Sequence, residues 1–186
     1  MVTFLGTAGK INEKDIDANA VKSSEILFLE GYLWDEGNPK KAFEKAINSS
    51  NKVAMSLSDL FCVERHKPHF LELVKSKLDI TFANEQEIMS LINARSFDEV
   101  VGFAKELNKL IIITRGKKGA LVVSKNEVTE CSAKSNLKIK DLTGAGDLVA
   151  GGYLHGFINN KSMKESWESG TKMSSKIIQI IGARLS

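Results

Sequence analysis

Short apolar runs alternate with longer amphipathic segments along most of the chain. The runs are rich in Val, Ile, Leu and Phe, which is typical of strands buried on both faces of a sheet. They predict strands at Val2–Leu5, Ile26–Gly31, Lys52–Leu57, Asp79–Ala83 and Leu110–Thr114, and then a hairpin of Ala120–Ser124 and Glu127–Cys131.

The segments between these runs have helical periodicity and helix-capping residues. They predict helices at Asn38–Asn48, Asp59–Ser76, Glu85–Leu91, Phe97–Leu107, Ala145–Ile158 and Ser162–Ile181. Pro68 lies inside the second of these and is expected to interrupt it. Strands separated by helices indicate one α/β domain over residues 1–186 with a mostly parallel sheet. In such sheets ligands bind beyond the carboxyl ends of the strands.

Composition narrows the function classes. The chain has 186 residues, 42% of them hydrophobic and 26% charged, and a net charge of +3. The lysines are spread along the chain, so neither nucleic acid nor a membrane is indicated as a partner. Cys62 and Cys131 fit neither a disulfide framework nor a zinc motif. The start lacks the features of a signal peptide. We therefore expect a soluble cytoplasmic protein.

The segment Asp141–Asp147, with the sequence Asp-Leu-Thr-Gly-Ala-Gly-Asp, carries the strongest chemical signal. Gly144 and Gly146 allow a tight turn, and the helix that follows directs free N–H groups at one point, which predicts an anion site. Asp147 in the first helical turn could accept a proton from an attacking hydroxyl. The alternative is a simple turn followed by an acidic residue that the helix dipole favours.

Two further elements follow predicted strands. Asn84 and Glu87 come directly after Asp79–Ala83, and they offer the oxygen ligands that magnesium prefers or form only a helix cap. Thr114–Gly119, with the sequence Thr-Arg-Gly-Lys-Lys-Gly, follows Leu110–Ile113. Its basic side chains could meet phosphates, although two glycines at a turn between strands also explain it.

Together these motifs resemble the PfkB family of carbohydrate and nucleoside kinases. The resemblance implies a three-layer α/β/α ribokinase-like (Rossmann-like) sandwich. It assigns Asp147 as the catalytic base and the backbone of Gly144, Ala145 and Gly146 as the anion hole. Asp141 and Thr143 correspond to residues that help hold a monovalent cation such as K⁺. Leu142 and Val149 depart from the usual Thr and Phe of the motif.

The resemblance also implies ATP and Mg²⁺ as cofactors. Asn84 and Glu87 match an Asn-x-x-Glu element that orders water around Mg²⁺ and the ATP phosphates. Thr114, Arg115, Gly116 and Gly119 match a turn whose backbone contacts the nucleotide. Thr171 falls where members place a nucleotide-contacting residue, in the last helix, which covers the adenine.

Leu29–Asp35 and Leu57–His66 are similar to stretches of bacterial adenosine kinases. The implied activity is ATP-dependent phosphorylation of a hydroxyl on a nucleoside, such as adenosine, or on a sugar. The alternative is a catalytically inactive nucleotide-binding fragment, and a homodimer is an open question. Family members are longer at the N-terminus, so we expect an N-terminally truncated fold without the first strands, the β-lid and most substrate-gripping residues.

Overall fold

The computed structural model describes residues 4–34 and 37–185, which form a six-stranded sheet in the order β1-β2-β3-β4-β5-β6. The strands are β1 (Leu27–Glu30), β2 (Val53–Ser56), β3 (Ile80–Asn84), β4 (Leu110–Thr114), β5 (Ala120–Val123) and β6 (Val128–Cys131). The first four are parallel, and β5 and β6 are added antiparallel. Asn84 is in register with Thr114, so β3 and β4 end together at the carboxyl edge.

Helices cover both faces of the sheet. They are α1 (Ala18–Ser23), α2 (Asn38–Ser49), α3 (Leu60–Ser76), α4 (Glu85–Ile92), α5 (Phe97–Glu106), α6 (Ala145–Ile158) and α7 (Met163–Ile177). Helices α2 to α5 contribute to the core on one face, and α6 and α7 contribute to the core on the other. The mostly parallel, three-layer α/β/α prediction is therefore confirmed.

Strand β4 shows why its apolar run is continuous. Ile111 and Ile113 belong to the core beneath α2–α5, whereas Ile112 belongs to the core beneath α6 and α7. All three side chains are fully buried. Because successive side chains of a strand point to opposite faces, a strand covered on both faces has no polar position to alternate with.

Helix α3 is interrupted as the sequence predicts. Pro68 lies inside it, and the backbone of His66 leaves helical geometry, with φ −118° and ψ 18°. Proline lacks an N–H and its ring crowds the preceding turn, so the distortion falls just before it.

Two element predictions differ from the structure. Residues 1–3 lie outside the described chain, and Phe4 and Leu5 are not in a strand, so the strand at Val2–Leu5 is not found in the part that can be checked. The last helix ends at Ile177 instead of Ile181. The carbonyl of Ile178 there accepts a hydrogen bond from the N–H of Lys140, and Gly182 has φ +94°. The chain leaves the helix to pack against the loop before α6.

Cys62 and Cys131 are both buried and are not joined in a disulfide, as expected for thiols that serve packing. Burial raises the pKa of Cys131 to about 11, which keeps it protonated and unreactive at neutral pH. Within residues 4–34 and 37–185, no helix is long and apolar enough to span a bilayer.

Glycines allow α6 and α7 to pack closely. A Cβ on Gly152 would lie 2.7 Å from the Cα of Gly170, whereas a Cβ on Gly151 would meet nothing within 4 Å. We expect Gly152→Ala to lower the free energy of unfolding by about 1–3 kcal/mol through overpacking. Gly151→Ala, the matched control, should raise it by about 0.5–1 kcal/mol. Urea unfolding of both variants measures the difference, and equal effects would contradict this account of the interface.

Candidate active site

The turn before α6 presents an uncapped helix N-terminus. Gly144 is the residue before the helix, has φ +77° and provides no capping side chain. Most other helices have such a cap, from Asp17, Asp59, Asn84, Ser96 and Ser162. Gly146 is exposed, and a Cβ there would meet nothing within 4 Å. The N–H of Ala145 donates to the carbonyl of Leu142 at 3.1 Å, whereas the space beside Gly146 is open. An anion beside Gly146 could therefore accept hydrogen bonds from the N–H groups that the start of a helix leaves without an intrahelical partner.

The carboxylate of Asp141 accepts three hydrogen bonds that stabilise this turn, and we refer to them together as the brace. Its Oδ1 accepts hydrogen bonds from the N–H and the hydroxyl of Thr143, at 2.9 and 2.7 Å. Its Oδ2 accepts from the N–H of Gly182 at 3.0 Å. These donors, that of Gly182 first, lower the pKa of Asp141 to about 2. Asp141 and Thr143 are thus brought together, and their carboxylate and hydroxyl are bonded to each other.

The turn at residues 178–183 packs against the loop that precedes α6, at residues 140–144. The N–H groups of Lys140 and Asp141 donate to the carbonyl of Ile178. A Cβ on Gly144 would lie 3.1 Å from the Cβ of Ala183, so this position is tight as well as left-handed. Residues 178–183 therefore help to fix the shape of the turn at residues 141–146, which precedes α6 and is the candidate anion site.

Asp147 is exposed in the first turn of α6, where a substrate hydroxyl could reach it. Glu30, at the carboxyl end of β1, is half-buried within electrostatic reach of it. Burial, and then the charge of Asp147, raise the pKa of Glu30. Glu30 is not among the site residues that the sequence motifs indicated. The sequence feature that points to it is its position, since a charged residue ends an otherwise apolar strand at the edge where ligands bind.

Asn84 and Glu87 form a reciprocal cap at the start of α4. The side chain of Asn84 accepts from the N–H of Glu87 at 2.9 Å, and the Asn84 N–H donates to Glu87 Oε2 at 2.8 Å. The Asn84 amide also donates to Glu87 Oε1 at 2.5 Å. Glu87 is only 4% exposed, and burial is the largest influence on its pKa, which is raised. The helix-cap alternative is therefore realised, and any bond from Glu87 to hydrated Mg²⁺ would add to it.

The turn after β4 places the other nucleotide candidates at the same edge. Thr114 donates from its hydroxyl to the carbonyl of Ala83 at 3.5 Å, and the turn is closed by the Arg115 N–H donating to the Gly119 carbonyl at 2.8 Å. Gly116 and Gly119 have φ +57° and +90°. These values favour glycine at both positions.

Thr171 lies inside α7 and is only 8% exposed. Its hydroxyl donates to the carbonyls of Trp167 and Glu168 within its own helix, at 3.0 and 3.1 Å. Its side chain is thus already satisfied, and its contact with a nucleotide stays a prediction.

Two of the predicted residues, Asn84 and Thr114, end neighbouring strands in register. Asp147, on α6, lies within electrostatic reach of Glu30, which ends β1 at the same carboxyl edge of the sheet. Within the described residues, no group of three His, Cys, Asp or Glu side chains is arranged to hold a metal. The N–H groups at the start of α6 suit phosphate oxygens, and Mg²⁺ that accompanies a phosphate group would be held mainly by phosphate and water oxygens. A cavity of about 340 Å³ near Lys52, Asp79 and Lys109 lies at the other end of the strands.

The brace formed by Asp141 gives a prediction for pH. Its pKa is depressed from the ordinary 3.8 to about 2, so its contribution to stability is present above that ordinary value and is lost as the pH falls toward 2. The free energy of unfolding of wild type should therefore exceed that of Asp141→Asn above about pH 4, and the gap should narrow toward about pH 2. Urea unfolding across that range measures it. A gap that is constant over the whole range would contradict the brace.

Comparison with known proteins identifies the class. The family described as pfkB family carbohydrate kinase matches residues 1–186. A ribokinase from Dictyostelium discoideum is 29% identical over 193 aligned residues, which cover 91% of this chain and 59% of the relative. An adenosine kinase from Schizophyllum commune is 26% identical, covering 98% of this chain and 60% of the relative. The crystal structure of adenosine kinase from Sinorhizobium meliloti superposes with a TM-score of 0.91 and 34% identity, over 95% of this chain and 56% of that one.

The chain therefore belongs to the pfkB family of carbohydrate kinases, as the motifs indicated. It spans about three-fifths of the length of the curated relatives that match it over most of its sequence. A ribokinase structure from Thermotoga maritima, 23% identical with a TM-score of 0.76, adds support for the fold. The ribokinase-like prediction is thus confirmed.

Proposed function

We propose that the chain carries the base and the nucleotide-binding part of an ATP-dependent kinase that phosphorylates a hydroxyl group of a nucleoside or a sugar. The observation that carries this proposal is the exposed carboxylate of Asp147 in the first turn of a helix that has no side-chain cap and has open space beside Gly146. The N–H of Ala145 donates to the carbonyl of Leu142, so a phosphoryl group would have to share or replace that bond. Phosphoryl transfer needs a base beside the attacking oxygen and fixed donors around the transferred group, and this arrangement supplies both.

Each residue then has a defined task. Asp147 accepts the proton of the acceptor hydroxyl as that oxygen attacks phosphorus. The N–H groups of Gly144, Ala145 and Gly146 stabilise the charge on the transferring phosphoryl group. Glu30, beside Asp147, can accept a hydrogen bond from the acceptor and orient it. Mg²⁺, when bound with ATP, supplies charge neutralisation at the phosphates.

The nucleotide would lie along the ends of β3 and β4. In this proposal Asn84 and Glu87 order water around Mg²⁺, and the backbone from Thr114 to Gly119 contacts the nucleotide. Thr171 adds a contact from α7. A monovalent cation near Asp141 and Thr143 would have to share these oxygens with the hydrogen bonds already described.

Adenosine is the acceptor we favour within this class. Support comes from the 34% identity to the adenosine kinase from Sinorhizobium meliloti and from the similarity of Leu29–Asp35 to bacterial adenosine kinases. A nucleotide-binding piece without catalysis is the second candidate. It is favoured by the share of the relatives that this chain spans, about three-fifths. We further propose a cytoplasmic location for either form.

Two measurements on the purified chain test the proposal. Transfer of the γ-phosphate from ATP to adenosine, cytidine or ribose should be detectable with Mg²⁺, with adenosine the best acceptor. MgATP should also raise the melting temperature, because a ligand that binds only the folded state stabilises it. Protection without transfer would select the non-catalytic candidate. If the chain shows no protection by MgATP and no phosphate transfer, the proposal is wrong.

A further inference from the structure

We propose that Arg115 is a positioning residue, not a phosphate ligand, and that it fastens the turn 115–119 to the starts of α4 and α5. The inference rests on the proposed function in one respect, namely that this turn contacts the nucleotide. It replaces the expectation from sequence that the charge of Arg115 meets phosphate directly.

The guanidinium group of Arg115 is held on two sides. Its Nη2 donates to Glu85 Oε1 at 3.1 Å, and its Cζ lies 3.9 Å from the ring centroid of Phe97. The side chains of the ion pair are only 24% and 27% exposed. Arginine stacks well on aromatic rings and pairs with carboxylates through a planar group, so both contacts use the same rigid unit.

These contacts join three chain segments at one point. Glu85 is the first residue of α4 and follows Asn84 directly, and Phe97 is the first residue of α5. Arg115 begins the turn, which its own N–H closes onto Gly119. The side chain therefore ties the turn to the helix start that presents Asn84 and Glu87, so the two elements expected to meet MgATP are held in a fixed relation.

The same contacts limit what Arg115 can offer a phosphate. Glu85 offsets its charge, and its Nε is buried, so a phosphate in solvent does not reach that atom in this conformation. A phosphate that took the hydrogen now donated by Nη2 to Glu85 would break the ion pair and leave the Glu85 carboxylate without it. Lys117 and Lys118 are exposed in the same turn and can meet phosphates at no such cost.

The two roles predict opposite signs for Glu85→Gln. If Arg115 binds phosphate, removing the competing carboxylate should strengthen MgATP binding. If Arg115 positions the turn, the change should weaken binding, and Arg115→Gln should weaken it similarly. Because both changes remove the same ion pair, the double variant should bind MgATP only slightly more weakly than either single variant.

Hydrogen exchange in the nucleotide-free chain tests the fastening independently of ATP. The amides of Arg115, Lys118 and Gly119 donate within the turn, and we expect each single variant to speed their exchange roughly fivefold, in line with one ion pair and one stacked cation. Lys117→Gln removes a charge from the same turn without touching Glu85 or Phe97, and it should leave this exchange unchanged.

Calorimetric titration with MgATP then measures the dissociation constant of each variant. We expect it to rise roughly three- to tenfold for Glu85→Gln and Arg115→Gln. Tighter binding by Glu85→Gln, or exchange that neither variant alters, would overturn the inference. If the wild-type chain does not bind MgATP, the proposed function fails, and the exchange rates alone then decide whether Arg115 fastens the turn.

Discussion

Replacing Asp147 with Asn is expected to lower kcat for phosphoryl transfer by about 10²–10⁴-fold, the range typical for loss of a positioned general base. The amide keeps the size of the side chain but cannot accept the proton of the attacking hydroxyl. Asp147 is exposed in the first turn of α6, and its carboxylate accepts no hydrogen bond from residues 4–34 or 37–185, so the melting temperature should hardly change. Steady-state kinetics with adenosine and MgATP, together with thermal unfolding of the same preparation, measures both quantities.

Asp98→Asn is the matched control for this experiment. Asp98 is also an exposed acidic residue in the first turn of a helix, α5, and so has the same favourable interaction with a helix dipole. Both variants should lose only a few tenths of a kcal/mol of stability, but only Asp147→Asn should lose turnover. Equal kcat values for wild type and Asp147→Asn would remove Asp147 from the mechanism.

The sheet could be predicted from the sequence because burial on both faces leaves a local mark. Leu110–Ile113 is apolar throughout, and the predicted bounds Leu110–Thr114 agree with β4. Helix α6 was equally accessible, since Gly144 and Gly146 mark its start and an apolar stretch follows. In both cases the pattern that predicts the element lies within a few consecutive residues, so it can be read without knowing which distant residues the element contacts.

Features that depend on distant contacts could not be predicted in this way. The sequence pattern predicts a last helix that continues to Ile181. In the structure the helix ends at Ile177, and the carbonyl of Ile178 accepts a hydrogen bond from the N–H of Lys140, nearly forty positions earlier. The coupling of Glu30 to Asp147 likewise joins a strand and a helix that only the fold brings together. The partners of Arg115 are a third example, as Glu85 and Phe97 lie on two other elements.

Gly119→Ala should be among the most destabilising single changes in the chain. Gly119 ends the turn after β4 with φ +90°, and a Cβ there would lie 1.9 Å from the carbonyl oxygen of Cys131 in the neighbouring strand β6. Backbone, not a flexible side chain, occupies the space, so β6 would have to move away from β5. We expect a loss of about 3 kcal/mol or more in the free energy of unfolding, measured by urea unfolding.

Gly116→Ala separates the clash from the cost of the backbone conformation. Gly116 has φ +57° in the same turn, but a Cβ there would meet nothing within 4 Å. It should lose only about 1–2 kcal/mol, the cost of a left-handed conformation for a residue with a Cβ. If the two variants unfold at the same urea concentration, the close approach of Gly119 to Cys131 does not determine stability. If Gly119→Ala has the lower free energy of unfolding, the close contact with β6 holds in place the turn that would contact the nucleotide.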